Sequence, residues 1–420
     1  MSIFPMGRLL ATALAAGLLG LSPAHAADPA HPAPLTLVQA FERAWALQPE
    51  AQALPQRRES ALAERRAANA WTPEAPALEL ALRSDRLNAR QGAREVETGL
   101  AVPLWLPGER QRSQSLAEAK LQGTEAQLRA AQWRLAQTLR EAWWQLQRQR
   151  GEAEAAAERT AAAQALAQDV SQRVRLGELS RADQHQADAA TAAARAEAAL
   201  AQAQAVAAEQ ALRALLGMAP HEALLPHAGP EPLPDSAADL SEHPALLSLR
   251  AQTTSSRSAA ALARVQSRGN PELTLLQTRE RGARGESSTG SLTLALRLPL
   301  GSSDRHRALE AHALAEQAEA QARLDQEPAQ LQAALHSAQA ALEAARSVLE
   351  ASSERARLAL ESRSFFDKSF RLGQTDLPTR LRIEQEANTA LREQARARIN
   401  RHHATALLRQ ALGLMPEQAN

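Results

Sequence analysis

The chain has 420 residues, no cysteine and no tyrosine, and its formal net charge is +1 because 48 basic side chains nearly balance 47 acidic ones. The lack of cysteine excludes a disulfide framework, thiolate metal sites and a lipid anchor on an N-terminal cysteine. The near-zero charge gives no reason to expect nucleic acid as a partner.

The N-terminal segment, residues 1–26, is predicted to be a secretory signal peptide that is cut after Ala26. Arg8 precedes an apolar run from Leu9 to Leu21, and the small-residue sequence Ala24-His25-Ala26 follows. The alternative is an N-terminal membrane anchor, but the run is too short to span ~30 Å of hydrocarbon as a helix. The sequence therefore predicts a protein exported by a Gram-negative cell.

One offset recurs along the rest of the chain. Four pairs of landmarks are each separated by 373 − 177 = 196 residues: Gly177 and Gly373, Pro103 and Pro299, Gly217 and Gly413, and Pro220 and Pro416. The constant offset predicts a tandem duplication. The first repeat is predicted at 27–220, a Pro-rich linker at 221–240 and the second repeat at 241–420.

Each repeat is predicted to contain short helices, a β-hairpin, a long helix and a return helix. The first helix begins at Thr36, which forms a capping-box pattern with Gln39, and a second helix is expected from about Glu50 to Ala70. The hairpins are predicted at about 75–104 and 271–300, the long helices at 107–176 and 302–372, and the return helices at 180–216 and 376–412. The long helices, one with a kink expected at Pro328, would reach roughly 100 Å and need a coiled-coil-like partner surface.

The four predicted strands alternate apolar and polar residues with a period of two, as in "SLTLALRLPL". An ordinary half-buried hairpin has the same pattern. Four strands cannot close a barrel, but three copies of the chain would supply 3 × 4 = 12 strands without edges. The leucine faces would then contact lipid, and a wet lumen would be lined by Glu79, Arg83, Glu97 and Arg297.

Two tryptophans flank the first hairpin. Trp71 precedes its first strand and Trp105 follows its second strand. Both are predicted to lie at the periplasmic membrane interface, where tryptophan is favoured. Core packing at the junction of strand and helix is the alternative.

With these elements in place, the sequence resembles the TolC-like family of outer-membrane efflux proteins. The resemblance covers the chain from "LTLVQAFERAW" to "ALGLMP". It rests on the segments "VPLWLPGERQR" and "LPLGSSDRHR", which lead from a strand into a long helix, and on the glycine motifs "RLGELSRAD" and "RLGQTDLPT". The style of strand exit is similar to that of the heavy-metal RND branch of the family.

The resemblance implies a mainly α-helical protein with a β-barrel part. It implies a homotrimer with a 12-stranded barrel in outer-membrane lipid, continued by a long α-helical barrel that crosses the periplasm. It further implies an exit duct with no enzymatic activity and no cofactor. Its implied partners are a periplasmic adaptor (membrane fusion) protein and an inner-membrane pump.

In this family the glycine motifs lie at the periplasmic tip, where paired helices reverse direction. Glycine suits such a reversal because it tolerates positive φ at a helix C-terminus. The residues inferred to contact the adaptor are Leu176, Gly177, Glu178, Leu179, Leu372, Gly373, Gln374 and Thr375. The alternative is that these residues only build the turns.

The family's tip is often gated by acidic residues six and nine positions after the second glycine. Here those positions hold Thr379 and Arg382, and the matching positions of the first repeat hold Asp183 and Gln186. These four residues are the candidate tip constriction, and an Arg382 that faced the lumen would make it less attractive to cations. Alternatively, Arg382 pairs with Glu384 or Glu386, and Asp183 is an ordinary solvated helix residue.

No catalytic or metal-binding pattern is recognised in the sequence. The histidines form no ligand set at helical spacing with acidic support, and phosphate-loop and nucleophile motifs do not occur. The favoured function is the outlet of a tripartite efflux pump, with metal cations as the favoured substrate class. The outlet of a type I protein-secretion system and a soluble periplasmic coiled-coil adaptor or scaffold are the alternatives.

Overall fold

The computed structural model of the chain describes residues 35–87, 91–219, 222, 224, 229–234, 239–300 and 303–417. The predicted signal peptide and part of the predicted linker lie outside these residues. The helices are α1 (Leu37–Leu47), α2 (Pro49–Gln52), α3 (Leu54–Ala68), α4 (Glu109–Arg175), α5 (Arg181–Leu216), α6 (Pro244–Val265), α7 (Ser303–Arg371) and α8 (Leu377–Ala411). The strands are β1 (Ala77–Ser84), β2 (Arg94–Pro103), β3 (Glu272–Arg281) and β4 (Thr289–Arg297). The mainly helical fold with four strands confirms that part of the predicted fold class.

The first helix begins at the predicted capping box. The hydroxyl of Thr36 accepts a hydrogen bond from the backbone N–H of Gln39 at 3.2 Å, and the Gln39 side chain accepts one from the backbone N–H of Thr36 at 3.0 Å. The second predicted helix is divided into α2 and α3, which meet at Ala53. Pro55 lies in the first turn of α3, and because proline has no N–H to bond the preceding turn, it accounts for this division.

The four strands form one antiparallel sheet in the order β1-β2-β3-β4. The two hairpins are therefore joined, because β2 pairs with β3 along their whole length. Directly paired residues share a face of the sheet, so the register defines two faces. One face carries the apolar residues Leu78, Leu80, Leu82, Val96, Leu100, Val102, Leu273, Leu275, Leu292, Leu294 and Leu296. The other face carries Glu79, Arg83, Glu97 and Arg297, the residues expected to share a wet surface.

The two long helices carry the rest of the fold away from the sheet. Helix α4 has 67 residues and α7 has 69, so each is roughly 100 Å long. The return helix α5 packs along α4 and α8 packs along α7, while α4 also contacts α8. Many of the buried residues of α4, α5 and α8 are alanines, whose small side chains let helices approach closely. Within the described ranges, no helix is both long and apolar enough to cross a membrane.

The largest core lies where the return helices end against the middle of the long helices. Trp143 and Trp144 of α4 pack there with Leu212 and Leu216 of α5 and with residues of α1. Each return helix has about half the residues of its long partner, 36 in α5 and 35 in α8. In the half nearer the sheet, α4 packs against α3 and α6, and α7 packs against α6. The protomer is therefore a rod with the sheet at one end and two helical turns at the other.

A buried ion cluster fixes the linker segment beside this core. Glu231 accepts two hydrogen bonds from the guanidinium of Arg140, at 2.9 and 2.8 Å, and its carboxylate lies 3.3 Å from Arg409 Nε. All three side chains are at least 95% buried. The cluster connects α4, α8 and the chain between the two halves.

A partly buried histidine on α8, His403, should make stability depend on pH. Burial and the nearby Arg148 guanidinium lower the pKa of His403 from 6.5 to about 4. The folded protein thus keeps the ring neutral at a pH where the unfolded chain binds a proton. The free energy of unfolding should therefore fall as the pH decreases from about 6.5 towards 4.

The check is the urea midpoint measured at about pH 7.5 and at about pH 5. The acid-induced decrease should be smaller in His403→Gln than in the wild type. His402, whose pKa burial also lowers, is present in both proteins, so the difference isolates His403. Equal decreases in the two proteins would contradict the argument.

Candidate functional site at the tip of the helical hairpins

Both hairpins reverse at a glycine in the left-handed region, at the end of the molecule opposite the sheet. Gly177 has a φ of +80° and Gly373 a φ of +72°. In the first turn the N–H of Gly177 donates to the carbonyl of Val174 at 3.1 Å, and the N–H of Glu178 donates to that of Arg173 at 2.9 Å. This is the Schellman pattern, which satisfies the last carbonyls of a helix. The second turn repeats it.

Each return helix starts at a side-chain cap three residues after the glycine. The hydroxyl of Ser180 accepts from the N–H of Asp183 at 3.2 Å, and the Asp183 carboxylate accepts from the N–H of Ser180 at 2.9 Å. In the second turn, a carboxylate oxygen of Asp376 accepts from the N–H of Thr379 at 3.2 Å. Hydrogen bonds from the side chain and then the backbone of Thr379 lower the pKa of Asp376, so the cap stays ionised at neutral pH. Asp183 and Thr379 thus both serve helix starts in the protomer.

The surface around the two glycines is open. A Cβ atom added to Gly177 or Gly373 would meet nothing within 4 Å, and the leucines before them, Leu176 and Leu372, are 75% and 73% exposed. Glu178 and Gln374 are exposed as well. Six of the eight residues predicted to contact the adaptor are therefore accessible in the protomer.

The remaining two predicted contact residues belong to the turns themselves. Leu179 packs against a buried hydrophobic cluster that lies next to the turns. The hydroxyl of Thr375 lies 2.5 Å from that of Ser369, across the second turn. These two side chains therefore support the turns from inside rather than forming their exposed surface.

This hydrophobic cluster, which the sequence did not suggest, joins the two hairpins next to the turns. Its buried members are Leu166, Val170, Ala187, Phe370 and Leu377, which come from α4, α5, α7 and α8. The ring of Phe370 is 2% exposed and lies between two guanidinium carbons, 4.9 Å from that of Arg173 and 4.6 Å from that of Arg380. These distances are those of cation–π contacts. The chain has only five phenylalanines, and three of them lie in "FFDKSF". This concentration is the feature of the sequence that could have indicated the cluster.

An ionic network continues this connection between the hairpins. Arg380 of α8 lies 2.7 Å from the carboxylate of Asp367 on α7 and 3.8 Å from that of Asp169 on α4. Asp169 also lies 3.3 Å from Arg173. Because these groups are only partly buried, the network adds little to the free energy of unfolding. Its main effect is to fix how the two hairpins are aligned with each other.

Of the other two predicted constriction residues, Arg382 takes no part in this network, whereas Gln186 lies beside it. Arg382 is exposed and forms an ion pair of 2.7 Å with Glu386, one turn further along α8. This is one of the two pairings that the sequence left open. Gln186 lines a cavity of about 1130 Å³ between the two hairpins, together with residues that include Asp169 and Arg380.

The predicted interface tryptophans lie together at the junction of sheet and helices. Trp71 is 93% exposed, so core packing does not account for its position. The indole N–H of Trp105 donates to the carbonyl of Ala70 at 3.3 Å, next to Trp71 in the chain. In the part of the chain that the structure describes, no group of three or more His, Asp or Glu side chains could hold a metal ion.

The model of one protein family, described as outer membrane efflux protein, matches residues 40–218, from α1 to the end of α5. The match supports the similarity of the chain to outer membrane efflux proteins. It agrees with the resemblance to TolC-like outer membrane factors that the strand-to-helix segments and the glycine motifs indicated. The matched segment holds the first hairpin, α4 and the turn at Gly177.

Solved structures with the same fold cover 90% of this chain. The outer membrane protein VceC of Vibrio cholerae is 18% identical, with a TM-score of 0.73 and 96% of its own length covered. The CmeC outer membrane channel of Campylobacter jejuni is 14% identical, with a TM-score of 0.72 and 85% covered. The MtrE outer membrane channel of Neisseria gonorrhoeae, solved in an open state, is 17% identical, with a TM-score of 0.69 and 89% covered. No curated protein matches the chain.

Proposed function

We propose that the chain is the exit duct of a tripartite efflux system, which passively conducts substrate from an inner-membrane RND-type pump and its periplasmic adaptor to the outside. The observation that carries this proposal is the sheet. Its six leucines on β1 and β4 are between 56% and 75% exposed on one face, opposite a charged face. Such a sheet suits a position between lipid and water.

The edges of the sheet support a trimer. Strands β1 and β4 each have one partner, so both outer edges carry unpaired backbone groups. Three copies joined edge to edge would form a closed barrel of 12 strands, and the long helices would continue it through the periplasm. The duct needs no catalytic residue, cofactor or bound metal for this role.

The open glycine turns are the proposed docking surface for the adaptor. Exposed Leu176 and Leu372 flank turns in which a Cβ would meet no atom, so a partner helix can approach the backbone closely. The cluster around Phe370 holds the two turns in one orientation. An adaptor hairpin could therefore contact both turns of a protomer at once.

Metal cations are the proposed substrate class, and the outlet of a type I secretion system is the alternative. Cells that lack this chain should accumulate transition-metal cations when exposed to them, and expression of the chain should reverse the accumulation. Unchanged metal content together with loss of a secreted protein from the medium would favour the type I role. A soluble adaptor or scaffold would not require the exposed leucine face.

Arg382 provides a test of the proposed tip constriction. Replacement of Arg382 by aspartate exchanges a positive for a negative charge and removes the ion pair with Glu386. If Arg382 faces the lumen of the trimer, the variant should prefer cations more strongly than the wild type in planar bilayers. The matched control is Arg357→Asp, which removes an exposed arginine of α7 that lies further from the tip. An unchanged cation preference would remove Arg382 from the constriction.

A further inference from the structure

The loop end of the sheet separates charges between its two faces. On the leucine face, the register pairs Arg94 with Arg281 and Val96 with Arg279. On the opposite face at the same level lie Glu95 and Glu280, which are also paired. Three guanidinium groups therefore follow the leucines on one face, while on the other face the carboxylates are accompanied by Arg83, which forms an ion pair of 2.8 Å with Glu95.

The three arginines have few partners in the protomer. Arg94 and Arg279 are exposed, and among the described residues neither has a carboxylate within ion-pair distance. Arg281 donates from Nη2 to the carbonyl of Gly92 at 3.3 Å, which fixes it against the neighbouring loop. Like charges directly opposite each other destabilise a sheet. An anion from outside the chain that bound between Arg94 and Arg281 would remove this repulsion.

The neighbouring rows of the same face define the chemistry of that partner. Next to Arg94 and Arg279 lie Leu82 and Val96, and the leucines of β1 and β4 follow towards the helices. A ligand that contacts both the arginines and the leucines of this face needs a negative headgroup beside apolar chains. A charged side chain costs little at a membrane interface but much at the bilayer centre, which agrees with the position of all three arginines at the strand ends.

We propose that Arg94, Arg279 and Arg281 bind the phosphate groups of lipid headgroups in the leaflet that faces away from the helices. Guanidinium groups pair with phosphate through two parallel hydrogen bonds, and rows of basic residues beside apolar surface recognise anionic lipids. This inference rests on the proposed position of the sheet in the outer membrane. It adds an interaction that sets the depth and orientation of the sheet in the bilayer.

The test uses the full-length mature protein purified from membranes in a neutral detergent. Lipid A, which carries phosphate, or phosphatidylcholine, which is zwitterionic, is added, and the shift of the melting midpoint and the apparent affinity are measured. The double variant Arg94→Gln/Arg279→Gln removes the two exposed charges from the leucine face. The matched control Arg83→Gln/Arg297→Gln removes two charges from the opposite face, Arg83 being at the same end of the strands.

Lipid A should raise the melting midpoint of the wild type and of the control, and phosphatidylcholine should not. The variant should bind lipid A roughly 25-fold more weakly, about 5-fold for each lost arginine. Inorganic phosphate alone should give no shift, because it cannot contact the leucine rows. Equal affinity of variant and wild type, or an equal response to phosphatidylcholine, overturns the inference and leaves the duct intact. Release of the protein from cells without detergent would instead overturn the proposed function.

Discussion

Valine in place of Gly177 or Gly373 should leave the trimer assembled and abolish efflux. Both glycines have positive φ, +80° and +72°, which costs a residue with a Cβ roughly 1–2 kcal/mol. The cost is confined to the turn, since an added Cβ meets no atom of the protomer within 4 Å. The branched side chain would instead occupy the space through which we propose that the adaptor approaches. Efflux by intact cells and co-purification of the adaptor are the measurements.

Two other glycines provide matched controls for this prediction. Gly108, before the start of α4, has a φ of +78°, and Gly285, in the loop between β3 and β4, has a φ of +96°. An added Cβ at either position also meets nothing within 4 Å. Valine there imposes a similar backbone strain at the other end of the molecule. Efflux should survive in the controls, and an equal loss in all four variants would show that strain rather than partner contact is responsible.

The second large effect is expected at Glu231. Glutamine at this position should destabilise the protein by about 3–5 kcal/mol, because it leaves the buried Arg140 without a counter-charge and leaves Arg409 with Glu417 alone. The linker segment that Glu231 fixes should also become more accessible to protease. The measurement is the urea midpoint of the purified protein at constant protein concentration, with limited proteolysis as a second readout.

An exposed ion pair gives the control for Glu231. Arg58 lies 2.8 Å from Glu125, and each side chain is about half exposed. Such a pair contributes about 1 kcal/mol or less, so Arg58→Ala should change the urea midpoint little. A change in Glu231→Gln as small as that in Arg58→Ala would mean that the buried cluster does not fix the linker.

The local features of the fold could be predicted from the sequence. The capping box at Thr36 depends on residues three apart, and the strand faces depend on residues two apart. The glycine turns follow from the conformational freedom of a single residue type. Each of these signals lies within one segment of the chain.

The features that the sequence did not reveal depend on distant residues. Arg140 and Glu231 are 91 positions apart, and a glutamate in a Pro-rich linker gives no sign of burial. Phe370 at the end of α7 meets Arg173 at the end of α4 only because both hairpins pack together. The division of the second predicted helix was in principle visible in Pro55, but the helical pattern on either side of it concealed the break.

The central claim is that three copies of the chain form one duct in the outer membrane. The most direct measurement is the mass of the mature protein after fractionation of cell membranes, with and without detergent. The protein should sediment with the outer membrane, require detergent for release and have three times the mass of one chain. Recovery of a monomer in the aqueous fraction, without detergent, would contradict the account.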